Sequence, residues 1–209
     1  TTIGVDNRIF QFASVGEDPQ DMKYAGEETC LEIGDRNTIR EFTTINRGTA
    51  QDAKTTRLGS DNLLMAYAHI AHDCQVGNHT IMANAASLAG HVHLGDWAIL
   101  GGFCSVHQFC HIGAHSFSGL GSTVKRDIPP FVLVDGTPAK PHGINAEGLR
   151  RRGFSDESIQ QIKRAYKIIY KKQLKLADAI QAMRDMAGGH PEIELMVDFL
   201  NHSERSIVR

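Results

Sequence analysis

Eight of the eleven histidines fall between His69 and His115, and three of them keep a telling spacing. His72, His91 and His107 lie nineteen and then sixteen residues apart. Counted modulo eighteen, they occupy neighbouring columns. His69 falls three residues before His72, near the same edge. Gly90 and Gln108 share the column of His72, and Asp73 shares that of His91. Two chemistries fit such a ridge. Three imidazoles can hold a divalent metal with an open coordination site. Alternatively, one neutral imidazole can act as a general base, oriented by Asp73, while Gly90 offers a bare backbone N–H to a developing oxyanion. His93 with His111 and His79 with His115 form two further columns, whose ordinary reading is a solvated corner.

The element that would stack these columns is a six-residue repeat. Leu58, Leu64, Ile70, Val76, Met82, Leu88, Leu94, Leu100, Val106, Ile112, Ser118 and Val124 follow one another at intervals of six, and all but Ser118 are aliphatic. Gly59, Gly77, Gly95 and Gly113 add a period of eighteen. Six-residue faces in groups of three predict a left-handed parallel β-helix, a mainly β triangular prism. Residues eighteen apart then stack about 4.8 Å from one another. Cys74, Cys104 and Cys110 occupy the small fifth slot of their hexads, as interior packing. Cys30 reads as a loop residue without a role. Reduced cysteines and no export signal favour the cytoplasm.

Residues 3–15 and 33–45 keep the same rule, whereas Asp21 and Glu27 break it. Two loops, 16–31 and 47–57, should therefore leave the prism, ordered at entropic cost. Thr2-Ile3-Gly4 reads as mid-repeat, so further coils are expected before it. The pattern ends at Lys125-Arg126-Asp127-Ile128-Pro129-Pro130, and residues 131–144 read as extended. The division expected is a β-helix domain over 1–144 and an α-helical domain over 145–209. Within the latter, one helix starts at Ser155 with Ile159, Ile162, Ala165, Tyr166, Ile169 and Tyr170 on one face. Leu174–Met186 and Pro191–Leu200 are the others, separated by Gly188-Gly189. A formal charge of −2 gives no field for nucleic acid, and no apolar run is long enough for a transmembrane segment.

Several stretches are more specific than the repeat. Ile9-Phe10-Gln11-Phe12-Ala13-Ser14-Val15-Gly16, Gln20-Asp21-Met22-Lys23-Tyr24-Ala25-Gly26-Glu27, Asn62-Leu63-Leu64-Met65, Ala68-His69-Ile70-Ala71-His72-Asp73-Cys74 and Glu147-Gly148-Leu149-Arg150-Arg151-Arg152-Gly153-Phe154 resemble the UDP-N-acetylglucosamine O-acyltransferase family of lipid A synthesis. The resemblance spans the whole chain. It implies a cytoplasmic homotrimer with active sites between neighbouring prisms. It implies transfer of an (R)-3-hydroxyacyl group from acyl carrier protein to the 3-hydroxyl of UDP-N-acetylglucosamine, without metal or cofactor.

By position, His72 matches the general base, Asp73 its support and Gly90 the oxyanion donor. Asp21 and Gly102 match contacts to the acyl 3-hydroxyl, with Gln20 and Lys23 beside them. His69, His91, His107 and Gln108 match sugar-nucleotide contacts. Asn145, Glu147, Arg151 and Arg152 match residues around the uridine and phosphates. A basic face of Lys163, Arg164, Lys167, Lys171 and Lys172 suits an acidic carrier protein. Pro138 stands where some family members carry histidine and inherits no role; Asn46, where members often carry histidine, can still hydrogen-bond but cannot titrate, which leaves a sugar contact there open. Leu120 stands at the position that limits acyl length, and a bulky side chain there points to donors of about ten carbons rather than fourteen. The alternatives are a metal-dependent hydratase of the γ-carbonic-anhydrase type, the sister N-acyltransferase, and an inactive scaffold.

Overall fold

The structure, a computed structural model, describes residues 1–203 and 205–209. Its first part is a left-handed β-helix of three sheets, built mostly from two-residue strands. From Arg57 to Val124 the pairing is parallel at a constant interval: Gln75 faces His93, Ile81 faces Ile99 and Ser87 faces Ser105. The aliphatic register points inward, with Leu64, Ile70, Met82, Leu88 and Leu100 all at 0% exposure. Ala68, Cys74, Ala86, Val92, Ala98, Cys104 and Cys110 fill the remaining interior. Burial pushes the Cys74 thiol up to about 12 and, with Asp127 nearby, the Cys110 thiol up to about 11. Both are inert packing groups.

Polar groups inside the prism form a ladder of their own. The Asn37 amide donates to Asn7 Oδ1 at 3.0 Å, Asn62 N–H donates to Asn37 Oδ1 at 2.9 Å, and Thr80 N–H donates to Asn62 Oδ1 at 2.7 Å. Buried amides are tolerated because each finds a partner in the adjacent coil.

The turns between faces share a backbone feature that the hexad pattern alone does not display. One residue in six adopts positive φ, as at Asp73 (58°), His91 (63°) and Phe109 (64°). A non-glycine residue there is strained by roughly 1 kcal/mol or more. The compensation is a bond between coils: His91 N–H donates to the His72 carbonyl at 3.1 Å, and Phe109 N–H to that of Gly90 at 3.2 Å. Corner side chains therefore stack. Phe12, Phe42 and Tyr67 form one ladder, with centroids 5.2 and 5.0 Å apart.

Both loops are shorter than the repeat suggests. Strands Ser14–Glu17 and Cys30–Ile33 bound the first at 18–29, and Thr44–Asn46 and Thr55–Leu58 bound the second at 47–54. Glu17 pairs with Asn46, which delays the start of the first loop. Cys30 and Leu31 pair with Thr55 and Thr56, which extends both strands ahead of the register position. Cys30 is thus an exposed strand residue, not a loop residue, and Leu31 is fully buried.

The prism ends in a hairpin. Val132–Asp135 pairs parallel with Phe117–Ser118 and antiparallel with Lys140–Ile144. Four helices follow: α1 (Ala146–Arg151), α2 (Asp156–Tyr170), α3 (Leu176–Ala187) and α4 (Pro191–Asn201). The sequence periodicity does not anticipate α1 as a separate helix, because six residues hold too little of the helical period. Ser155 caps α2 by accepting from Ser158 N–H, and Gly188 ends α3 in the left-handed region at φ 49°. After α4 the chain returns to the prism. Ile207 bridges to Asp127, and the fully buried Asp127 carboxylate accepts from His111 N–H and, at 2.6 Å, from Ser203 Oγ. No described helix is long and apolar enough to cross a membrane.

Leu88 lies in the middle of the aliphatic column, where neighbouring coils leave little room to collapse. Leu88→Ala should lower stability by roughly 3 kcal/mol. A urea titration read by circular dichroism will show it as a lower midpoint with the same slope.

Candidate functional site

Where the two loops meet the histidine face they enclose a groove of about 880 Å³. The first loop contributes Gln20, Asp21, Met22 and Lys23, and the second Gln51 and Asp52. The prism contributes His72, His91, His93, Gln108, Phe109 and His111.

His72 sits at a corner, and its Nδ1 lies 3.0 Å from Asp73 Oδ2. Asp73 is 1% exposed, yet its carboxylate is well supplied with donors. Thr49 gives its backbone N–H at 3.0 Å and its hydroxyl at 2.6 Å. Burial raises the Asp73 pKa, but the hydrogen bonds from His72 and Thr49 outweigh it and hold the group below the ordinary carboxylate range. An ionised Asp73 accepts a hydrogen bond from Nδ1–H, which keeps that proton on Nδ1 and leaves Nε2 as the basic nitrogen of His72. Gly48 makes this loop contact possible. A Cβ there would lie 2.3 Å from Thr55 N and 2.8 Å from Asp73 Oδ1, so no side chain fits.

The other side of the His72 ring faces Gly90. A Cβ on Gly90 would lie 2.6 Å from His72 Cε1 and 2.8 Å from Nε2. The Gly90 N–H donates to nothing among the described residues, as at the equivalent corner positions of other coils. What distinguishes Gly90 is the absence of a side chain between that N–H and the imidazole.

His91 meets His72 edge to face with centroids 5.0 Å apart, and stacks on Phe109 at 4.4 Å. Its Nδ1 lies 2.5 Å from Asp52 Oδ2. His69 lies one turn away, with Nδ1 2.7 Å from Thr44 Oγ1, and burial together with the charge of His72 pushes its pKa down. The expected ridge of three is a pair in ring contact. His107 is exposed, its Nδ1 lies 3.1 Å from the Gln108 carbonyl, and it does not line the groove. The reason is the stacking rule itself: the ring over His91 belongs to Phe109, eighteen residues on.

Gly102 and Leu120 occupy another edge. A Cβ on Gly102 would come within 3.2 Å of Leu120 Cδ1, and Leu120 is 74% exposed. Asn46 is buried, its amide donates to the Asp18 carbonyl at 2.7 Å, and its Oδ1 has no partner.

Asn145, Glu147, Arg151 and Arg152 gather elsewhere, on and beside α1. Asn145 caps the helix, accepting from Gly148 N–H and donating to the His115 carbonyl at 3.0 Å. Glu147 pairs with the exposed Arg151 at 3.0 Å. Arg152 lies over Trp97 at 5.1 Å, 3.2 Å from His115 Nδ1. None of these four lines the groove. One chain therefore carries three separate groups of candidate residues: the histidine groove, Gly102 with Leu120 at another edge, and the cluster at α1.

Two features went unread in the sequence. Asp52 and Gln51 lie in a loop with no periodicity to mark them. His79 and His115, read as solvated corners, belong to a half-buried stack: His79 on Trp97 at 4.1 Å, Trp97 over His115 at 6.2 Å, and His115 on Phe131 at 5.5 Å. Aromatic residues at intervals of eighteen were the available signal.

The ligand atoms of His72, Asp73 and His91 lie within 4.8 Å of one another, close enough to hold a metal ion. The donor set fits one poorly. Both Asp73 oxygens are already engaged by Thr49 and His72, and His91 Nδ1 by Asp52.

A family model described as "Udp N-acetylglucosamine O-acyltransferase; Domain 2" matches residues 127–208. The chain is 59% identical over 203 residues to the acyl-[acyl-carrier-protein]–UDP-N-acetylglucosamine O-acyltransferase of Thiobacillus denitrificans, covering 97% of this chain and 79% of that protein. It is 60% identical over 210 residues to the protein of the same name from Herminiimonas arsenicoxydans, covering 99% and 80%. Among solved structures, LpxA from Acinetobacter baumannii superposes with a TM-score of 0.97 at 51% identity, covering 99% of this chain and 81% of that one.

Burial and the nearby Arg152 charge hold His115 down to about 4, so the folded protein keeps it neutral while the unfolded chain protonates it near 6.5. Stability from this site is therefore full above pH 6.5, falls as pH drops from 6.5 towards 4, and then levels. His115→Phe keeps the stack without the titration. Urea midpoints measured across pH 4–7 should fall more steeply for the parent than for this variant.

Proposed function

The chain belongs to the UDP-N-acetylglucosamine O-acyltransferase family, and on that premise we propose that His72 is the base of its acyl transfer and Gly90 its oxyanion donor. The protein is an acyltransferase that moves an acyl group from acyl carrier protein to UDP-N-acetylglucosamine. On this reading the group is an (R)-3-hydroxyacyl chain, the acceptor atom is the glucosamine 3-hydroxyl, and the reaction opens lipid A synthesis.

The observation that carries the reading is the position of the His72 ring, with a buried carboxylate on Nδ1 and a glycine against Nε2. Nε2 takes the proton of the 3-hydroxyl as its oxygen attacks the thioester carbonyl. Asp73 stabilises the imidazolium that forms. The carbonyl oxygen becomes an oxyanion within reach of the Gly90 N–H. Collapse expels the carrier's thiolate, which recovers the proton from His72. Asp73 acts through His72 and never touches the reacting atoms.

The binding residues divide in the same way. Asp21 and the Gly102 backbone meet the acyl 3-hydroxyl, flanked by Gln20 and Lys23. His69, His91, His107 and Gln108 meet the sugar nucleotide. Asn145, Glu147, Arg151 and Arg152 surround the uridine and phosphates, where forked guanidinium donors suit a diphosphate. Separation of these groups on one chain suits a homotrimer with sites between subunits, each cleft drawing groups from both neighbours. The basic face of α2 would receive the carrier protein. A metal-dependent hydratase is the weaker reading, because the would-be ligands already satisfy one another.

His72→Ala should reduce acyl transfer by about a thousandfold or more, as removal of a base and its proton relay does, with thermal stability nearly unchanged. Retained activity would remove the base assignment. Leu120 closes the edge beside Gly102, and each methylene housed in an apolar groove contributes about 0.8 kcal/mol. Leu120→Gly should therefore raise kcat/KM for fourteen-carbon donors relative to ten-carbon donors by at least about tenfold. Parallel assays with 3-hydroxyacyl carrier proteins of graded length read this directly.

A further inference from the structure

Two clefts meet at the junction between the end of the prism and α2, and Arg209 lines both. The first, about 340 Å³, also carries Lys125 and Arg126. The second, about 460 Å³, also carries Lys140 and Lys171. Among the described residues, no aspartate or glutamate side chain lines either lobe. None of the five cations forms an ion pair or a side-chain hydrogen bond among the described residues; elsewhere Arg36, Arg40, Arg47, Arg57 and Arg151 all find carboxylates. Five cations around one cleft repel one another, and among the described residues no side-chain carboxylate pairs with any of them.

The floor adds a second, independent observation. Tyr170 lines the second lobe, and its hydroxyl is buried with no hydrogen-bond partner among the described residues. Buried hydroxyls are almost always paired, and an orphan points to a missing acceptor. Burial and the neighbouring Tyr166 push its pKa up while the Arg209 charge opposes them, so the phenol stays protonated and can donate. Around it Ala139, Ile169 and Val208 are buried and apolar, which strengthens any charge–charge contact made above them.

We propose that this junction is a binding site for a small polyphosphate anion, held between Lys125 and Arg126 on one side and Lys140 and Lys171 on the other, with Arg209 bridging the lobes and the Tyr170 hydroxyl donating from below. Multiple negative charges match the number of cations, and phosphate oxygens accept from forked guanidinium and ammonium donors alike. The cleft shares no residue with the histidine groove, and the proposal does not depend on the mechanism assigned there.

The test is calorimetric titration of the full chain with sodium tripolyphosphate at low ionic strength. Saturable binding of one ion per chain is expected, weakening as salt is added. Lys125→Glu, Arg126→Glu and Lys140→Glu combined should weaken it at least tenfold. Tyr170→Phe, which removes only the hydroxyl, should weaken it severalfold, and its circular dichroism and Tm report whether the fold is kept. Lys171 is left unchanged because it also belongs to the basic face of α2. Absence of saturable heat would overturn the proposal. So would binding that survives these substitutions, which would place the ion elsewhere on the chain. A raised KM for acyl carrier protein in the charge-reversed variant, without tripolyphosphate binding to the parent, would make the surface a protein-docking site and likewise overturn it.

Discussion

Parallel pairing at an interval of eighteen residues holds each face of the prism to the next, and the groove chemistry inherits its distances from it. Because Gln75 faces His93 and Ser87 faces Ser105, the corner carrying Asp73 must lie beside the corner carrying His91. The same ladder brings Gly90 under the ring of His72, from the next coil. A slip of one residue would turn the aliphatic register outward, so burial of Leu64, Ile70, Met82 and Leu88 enforces the alignment that the site uses.

The price of that regularity appears at the corners. Residues such as His91 and Phe109 adopt positive φ without being glycine, and the bonds between coils hold them there. Their side chains then stack in columns, which leaves His91 fixed between His72 and Phe109. Rigidity at the base is a consequence of fold geometry rather than of any added brace. The one added device is the second loop. It brings Thr49 to a buried carboxylate that would otherwise lack enough donors, and Gly48 is what lets it approach. A buried charge left without such partners would neutralise, and a neutral Asp73 would not fix the tautomer of His72.

The candidate groups stand in different structural settings. The histidine groove is built from prism corners and loops, all within one chain. Near α1, Arg152 leans on Trp97 and His115, Asn145 caps the helix, and neither lines that groove. A prism is well suited to such separation, because each of its three edges is an independent column of residues.

Much of this protein was legible without coordinates. The period of six named the buried positions, the period of eighteen grouped His72, Asp73, Gly90 and His91, and helix caps such as Ser155 and Gly188 marked the ends of α2 and α3. These signals survive in sequence because they arise from local repetition. Tertiary structure decided the rest. It gave Asp52 and Thr49 their places through a loop without period, and set Arg152 against His115. It also carried the tail after α4 back to Asp127, a contact between residues far apart in the chain. Contacts of that kind depend on how non-repeating segments close in space, and no spacing rule encodes them.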